Sequence, residues 1–213
     1  MKAIVDIDNT LVDYRLAIVN FIKNIDEDFF VNYIDPKQSV LKIKELIKSK
    51  LGDNIWQNVQ SDIYSRVDGI EFYEGSRNSL ILLANKGYKL YLVSHRTNYG
   101  MGSSSEINIR EISLLRIFNW IMQTNLSPYI SGVIFCETKK EKIDLIKDMK
   151  PQILIDDLIS IHREYLDYLK PGDQCINFLF RGSNLIEPNK FYKDSSVINI
   201  NSWNDIYKNL TAP

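Results

Sequence analysis

Short, almost unbroken apolar runs recur along the chain, at Lys2 to Ile7, Tyr88 to Val93, Gly132 to Phe135, Gln152 to Ile155, Gln174 to Phe180 and Val197 to Ile200. Runs of that length and character predict strands buried on both faces, as in a parallel sheet. Between them the apolar positions take helical spacing. This holds over Ser76 to Asn85, ended by Gly87, over Glu106 to Thr124, ended before Pro128, and over Lys140 to Met149, ended before Pro151. Strands alternating with helices predict an α/β fold, a parallel sheet with right-handed crossovers and helices on both faces. Ligands of such sheets bind beyond the strand C-termini, so chemistry is to be sought there.

One segment breaks the alternation. From Tyr14 to Glu74 the pattern is mostly amphipathic helix, as in Leu16-Ala17-Val19-Phe21-Ile22 and Val40-Leu41-Ile43-Leu46-Ile47-Leu51, punctuated by Asp35-Pro36 and Gly52-Asp53. It predicts a helical insert after the first strand. Its aromatics, Phe29, Phe30, Tyr33, Trp56, Tyr64, Phe72 and Tyr73, could pack the insert's own core or line a substrate cavity.

At 213 residues the chain can bury a substantial core and reads as one α/β domain or a domain with an insert. A net charge of −1 gives no reason to expect a nucleic-acid or membrane-surface binder. Cys136 and Cys175 lie in apolar, strand-like runs without a CxxC spacing and are expected to be buried, reduced thiols. The first residues lack a secretory hydrophobic core and no apolar run approaches membrane-spanning length, which predicts a cytoplasmic protein.

The first predicted strand ends in Asp6-Ile7-Asp8-Asn9-Thr10-Leu11. Period two puts Asp6 and Asp8 on one side and turns Ile7 to the core. Two carboxylates at the end of a buried strand cost several kcal/mol unless something positive sits beside them. Comparable residues end other strands. Ser94-His95-Arg96-Thr97 follows the second strand, and its hydroxyl could bond a phosphate oxygen. Asp156-Asp157 follows the fourth and again asks for a cation. Between them Thr138-Lys139-Lys140-Glu141-Lys142 opens a helix, where a lysine works against the macrodipole unless it faces an anion. A nucleophile, an acid/base, a hydroxyl, a lysine and further metal-binding carboxylates along one crevice are the parts of metal-assisted phosphoryl transfer.

With these residues the chain resembles the haloacid dehalogenase (HAD) superfamily of aspartate-nucleophile phosphatases. Asp6-Ile7-Asp8-Asn9-Thr10-Leu11 matches its first motif, Ser94 its second-motif hydroxyl, Lys142 or Lys139 its lysine, and Asp156-Asp157 its acidic fourth motif. The resemblance implies a Rossmann-like three-layer core, residues 1–13 and 75–213, with a C1-type helical cap over 14–74. It further implies a Mg2+-dependent reaction in which Asp6 attacks phosphorus and Asp8 protonates the leaving oxygen, then activates water. Asp6, Asp8 through its carbonyl, and Asp157 or Asp156 would hold the magnesium. Ser94, the lysine and the backbone amides after Asp6, with Asn9 and Thr10, would steady the phosphate.

The second carboxylate favours phosphate esters over halide displacement. A closing cap favours a small soluble ester, with no nucleic-acid polymer and no membrane as partner. The arrangement is similar to 5′-nucleotidases and deoxyribonucleotidases, whose cap aromatics sandwich a base. Arg96, Tyr99 and the Gly100 to Ser105 loop could reach a substrate's distal group, and His95 and Lys139 are further candidate substrate-binding residues. A phosphomutase keeps both carboxylates and stays open, as does a non-catalytic phospholigand binder on the same fold.

Overall fold

The computed structural model describes residues 1–67, 69–99, 106–182 and 196–211. In chain order its elements are β1 (Lys2–Asp6), β2 (Val12–Asp13), α1 (Arg15–Ile25), α2 (Glu27–Tyr33), α3 (Val40–Lys50), α4 (Asp53–Tyr64), β3 (Glu71–Phe72) and α5 (Ser76–Asn85). There follow β4 (Lys89–His95), α6 (Ile109–Gln123), β5 (Ile130–Cys136), α7 (Lys139–Met149), β6 (Ile153–Asp156), α8 (Ile159–Leu166), β7 (Ile176–Phe180), β8 (Val197–Ile200) and α9 (Trp203–Thr211).

Six of these strands form one all-parallel sheet in the order β5-β4-β1-β6-β7-β8, an α/β, Rossmann-like arrangement. The chain builds outward from β1 to β5, then crosses back to β6 on the other flank of β1. That reversal puts the crevice of the sheet at the C-terminal end of β1. Register is tight there: Val5 lies between Leu92 of β4 and Ile155 of β6.

Alternation sorts the core into two layers. Ala3, Val5, Leu92, Ile155 and Phe178 face one side, where they pack with Leu80 and Leu83 of α5, Ile117 and Trp120 of α6, and Trp203 and Ile206 of α9. Ile4, Val93 and Leu154 face the other, against Ile143 and Ile146 of α7 and Ile161 and Tyr165 of α8. Each fully buried Val, Leu or Ile among them contributes about 1.5–3 kcal/mol. The parity matters for chemistry, since Asp6 shares the side of Ile4 and so faces α7. Ile7 is buried in the first layer, as expected.

The helical pattern of Tyr14 to Glu74 becomes α1 to α4, held between the strands of a short antiparallel ribbon in which Val12 faces Phe72 and Asp13 faces Glu71. The ribbon was not anticipated, because two-residue strands carry no periodicity. Phe72 stacks flat on Trp120, ring centroids 4.3 Å apart, and so fastens the ribbon to α6. Phe29 and Trp56 are buried among the insert's own helices, whereas Tyr33 is exposed beneath Lys50. Packing thus claims most of the seven aromatics, and only Tyr64 and Tyr73 come near the crevice.

The elements otherwise follow the pattern with small shifts. α6 starts at Ile109 rather than Glu106 because Asn108 caps it, its side chain accepting from the Glu111 amide at 3.1 Å. α8 and α9 carry too few apolar positions to stand out. Cys175 departs from expectation: it lies just ahead of β7 and is half-buried, while Cys136 is buried in β5, and both are free thiols. Among the described residues no helix is long and apolar enough to cross a membrane.

Candidate active site

β1 and β6 run side by side, and one step beyond the Val5–Ile155 pair both chains present a carboxylate, Asp6 and Asp156. α7 delivers the cation between them. Thr138 caps that helix by accepting the Glu141 amide at 3.1 Å, and Glu141 reaches back past the cap to accept the Glu137 amide at 2.8 Å, which fixes the first turn. One residue later Lys142 points inward with Ile143 and Ile146, only 2% exposed. Its Nζ lies 2.5 Å from Asp6 Oδ1 and 2.7 Å from Asp156 Oδ2. Asp156 is held further by the Leu158 amide, which donates to Oδ1 at 2.9 Å. Below it the buried His162 lies 3.2 Å from the Asp156 carbonyl and 3.2 Å from Asn177 Oδ1.

Lys142 does not satisfy the whole cluster. Asp6 Oδ2 is buried and has no hydrogen-bond partner among the described residues. Burial pushes the Asp6 carboxyl up to about 7, against the pull of Lys142 and with the push of Asp156 and Asp8. Burial likewise raises Asp157 well above the usual carboxylate range, reinforced by the charges of Asp6 and Asp156. For Lys142 itself, desolvation disfavours the charge, but Asp156 and Asp6 outweigh it and hold the ammonium protonated. Oxygens of Asp6, Asp156 and Asp157 lie within 4.8 Å of one another. An orphaned carboxylate oxygen among three convergent acids fits a hard, oxygen-preferring dication such as Mg2+.

Asp8 has a different environment. Tyr14 donates to its Oδ1 at 2.7 Å, Ser94 donates to its Oδ2 at 2.7 Å, and the Arg96 guanidinium pairs with Oδ1. Burial works against ionisation, but Arg96, Ser94 and Tyr14 together hold its carboxyl below the usual range. Arg96 is 4% exposed, bonds Ser113 and the Tyr14 hydroxyl, and sets its Cζ over the Tyr64 ring, 4.2 Å from the centroid. It therefore does not reach outward to a substrate's distal group. Ser94, expected on a phosphate, is turned to Asp8.

The remaining expected residues separate. Asn9 holds the left-handed turn after β1 at φ 57°, and its Oδ1 is buried with no partner among the described residues. Thr10 is fully buried, with its carbonyl accepting from Trp203 Nε1 at 2.9 Å, so it shapes the loop. Lys139 pairs with Glu164 at 2.7 Å and stands apart from Lys142's carboxylates. His95 and Tyr99 are exposed. The Gly100 to Ser105 loop lies outside the described residues.

Sequence reasoning missed Tyr14 and Arg116. Arg116 is 3% exposed on the inner face of α6, with Ser113, Ile117 and Trp120, and donates to the Tyr14 hydroxyl at 3.0 Å. An arginine on the apolar stripe of an amphipathic helix was the available signal, because a buried guanidinium demands partners.

No family model matches the chain, and no curated protein matches its sequence. Its fold is similar to that of a HAD-family hydrolase from Deinococcus radiodurans R1 solved with bound phosphate and sodium, at TM-score 0.60 and 10% identity over 98% of this chain and 94% of that one. A candidate phosphoglycolate phosphatase from Lactobacillus delbrueckii subsp. bulgaricus gives TM-score 0.59 and 10% identity over 100% and 98%. A candidate beta-phosphoglucomutase from Thermotoga maritima gives 0.54 and 12% over 99% and 98%. At such identities the likeness is one of fold.

Proposed function

We propose that this chain, folded like HAD-superfamily hydrolases over nearly its whole length, is a Mg2+-dependent phosphatase acting on a small phosphate monoester through an aspartyl-phosphate on Asp6. The observation that carries the reading is the Asp6 carboxylate, one oxygen buried without a hydrogen-bond partner among the described residues, within 4.8 Å of oxygens of Asp156 and Asp157 and two residues before a second carboxylate in a separate hydrogen-bonded setting. Asp6 and Asp157 would hold the ion, with the Asp8 carbonyl. Asp156 is largely committed to Lys142 and the Leu158 amide. Bound there, Mg2+ supplies charge neutralisation for the phosphoryl oxygens.

The chain's own residues then divide the work. Lys142 pulls Asp6 toward its ionised form against burial and adds positive charge beside the reacting oxygen. The Asp6 carboxylate forms a bond to phosphorus as the ester P–O bond breaks, and the leaving oxygen takes a proton from Asp8. Asp8 rests ionised, so it gains that proton first, as a phosphate monoanion can bring it. Water attacks phosphorus next, the bond from phosphorus to the Asp6 oxygen breaks to free phosphate and the Asp6 carboxylate, and Asp8, again a carboxylate held by Tyr14, Ser94 and Arg96, takes the water's proton. Residues 14–74 act as the cap over the core of 1–13 and 75–213 and limit substrates to small esters. Two free cysteines suit the cytoplasm.

Hydrolysis of p-nitrophenyl phosphate, then of nucleoside monophosphates, sugar phosphates and phosphoglycerol, tests the reading. Turnover is expected with Mg2+, is lost with EDTA, and is absent in Asp6→Asn. No metal-dependent turnover on any ester overturns it. The mutase-like fold neighbour supports one other reading, transfer to a second sugar hydroxyl. Product analysis with a hexose phosphate separates isomerised sugar from free phosphate.

A further inference from the structure

The end of α4 is tied to the core by two arginines that both lead to Asp8. Arg116 of α6 is almost fully buried, and its guanidinium donates to the carbonyls of Ile63, at 3.1 Å, and Arg66. These carbonyls lie at the C-terminal end of α4, where a guanidinium satisfies orphan acceptors and complements the negative end of the helix dipole. The same guanidinium donates to the Tyr14 hydroxyl at 3.0 Å and lies 5.7 Å from the Tyr14 ring. Tyr14 in turn donates to Asp8 Oδ1 at 2.7 Å. Tyr64, the last residue of α4, meets the Tyr14 ring edge-on at 5.4 Å and lies under Arg96, the cation that pairs with Asp8.

A carboxylate is thus oriented by a hydroxyl that accepts from two guanidiniums, Arg96 at 3.1 Å and Arg116 at 3.0 Å, and the second of these is itself held by helix-end carbonyls. We propose that Arg116 is a positioning residue, acting through Tyr14, that couples the seating of α4 on the core to the orientation of the Asp8 carboxylate. The arrangement spans three separate parts of the chain: the residue just before α1, the end of α4 and the middle of α6. Arg116 touches neither Asp6 nor Asp8 among the described contacts. Its hydrogen-bonded link to Asp8 passes through the Tyr14 hydroxyl, its charge also helps hold the Asp8 carboxyl low from a distance, and its hold on α4 is direct. Coupling of this kind is reciprocal: if seating α4 orients Asp8, then changing Asp8 loosens α4.

The catalytic arm of the test rests on the phosphatase reading, and a hydrogen-exchange arm does not. In the full chain, Tyr14→Phe removes only the hydroxyl and Arg116→Lys keeps the charge but loses the fork. With Mg2+ and p-nitrophenyl phosphate each is expected to lower kcat by ~10- to 100-fold, the scale of a misplaced catalytic group. KM should change by less than about threefold, and the double variant should be no slower than the worse single variant, as for residues acting as one unit. Losses that multiply, or a change confined to KM, overturn the proposal. Exchange of the amides at Gln60 to Arg66 is read separately. Asp8→Asn is expected to speed it in the wild-type background and to add nothing in the Arg116→Lys background. Unchanged exchange on Asp8→Asn overturns the coupling. If the wild-type chain hydrolyses no ester, the phosphatase reading fails and exchange alone decides the proposal.

Discussion

Asp6 gives the sharpest quantitative test, because the metal-free chain holds its carboxyl up to about 7 against an ordinary 3.8. A raised acid means that the folded state binds the proton more tightly than the unfolded state. Stability from this group is therefore fully present below pH ~4 and is lost as pH rises toward 7. Three pH units at 1.36 kcal/mol each set a ceiling of about 4 kcal/mol. Asp6→Asn mimics the protonated form and removes the dependence. In a chain of this size 1 kcal/mol moves Tm by roughly 2–4 °C. In EDTA the variant is thus expected to melt several degrees above the wild type at pH 8 and close to it at pH 4.5. A dication binds the ionised carboxylates, so Mg2+ should raise the wild-type Tm more at pH 8 than at pH 5. Scanning calorimetry at both pH values, with each buffer containing EDTA or excess Mg2+, gives the four numbers needed. A difference between wild type and Asp6→Asn that does not grow with pH, or an equal Mg2+ increment at both pH values, refutes the reasoning.

Lys142→Met should abolish Mg2+-dependent turnover and cost the fold ~3–5 kcal/mol in urea titration at pH 8, since it strands two buried carboxylates. The stability loss should shrink at pH 5, where Asp6 is protonated. Trp203→Phe removes the donor to the Thr10 carbonyl and should cost about 1–3 kcal/mol while lowering kcat, because the same turn carries Asn9 beside Asp8. Denaturant titration and steady-state kinetics on one preparation check both effects.

The fold was legible where burial writes itself into consecutive residues. Ala3-Ile4-Val5, Leu90 to Val93 and Ile153 to Ile155 are apolar because both faces are covered, and each ended at a polar residue that the crevice uses. α8 stayed hidden because its buried face includes His162, and α9 because it buries only Trp203 and Ile206. In the site, Asp6, Lys142 and Asp156 could be found from strand ends and a helix start, and they come together. The Asp8 network could not. Ser94 and Arg96 were noticed, but their direction toward Asp8 depends on contacts 86 and 88 residues apart, and Arg116 reaches Tyr14 across 102. No local pattern reports which partner a buried guanidinium has chosen.

The Trp203–Thr10 hydrogen bond joins residues 193 apart, and β1 finds its neighbours only in β4 and β6. Translation makes β1 before its partners β4 and β6, and Trp203 after all three. A nascent chain must carry Ala3-Ile4-Val5 as an unpaired edge until Ile153 to Asp156 have emerged, and it must wait for Trp203 before the turn beyond Asp8 is pinned. Such long-range pairing is slow and leaves strand edges open to other chains. The contacts that set the geometry of the crevice are thus among the last that the growing chain can complete.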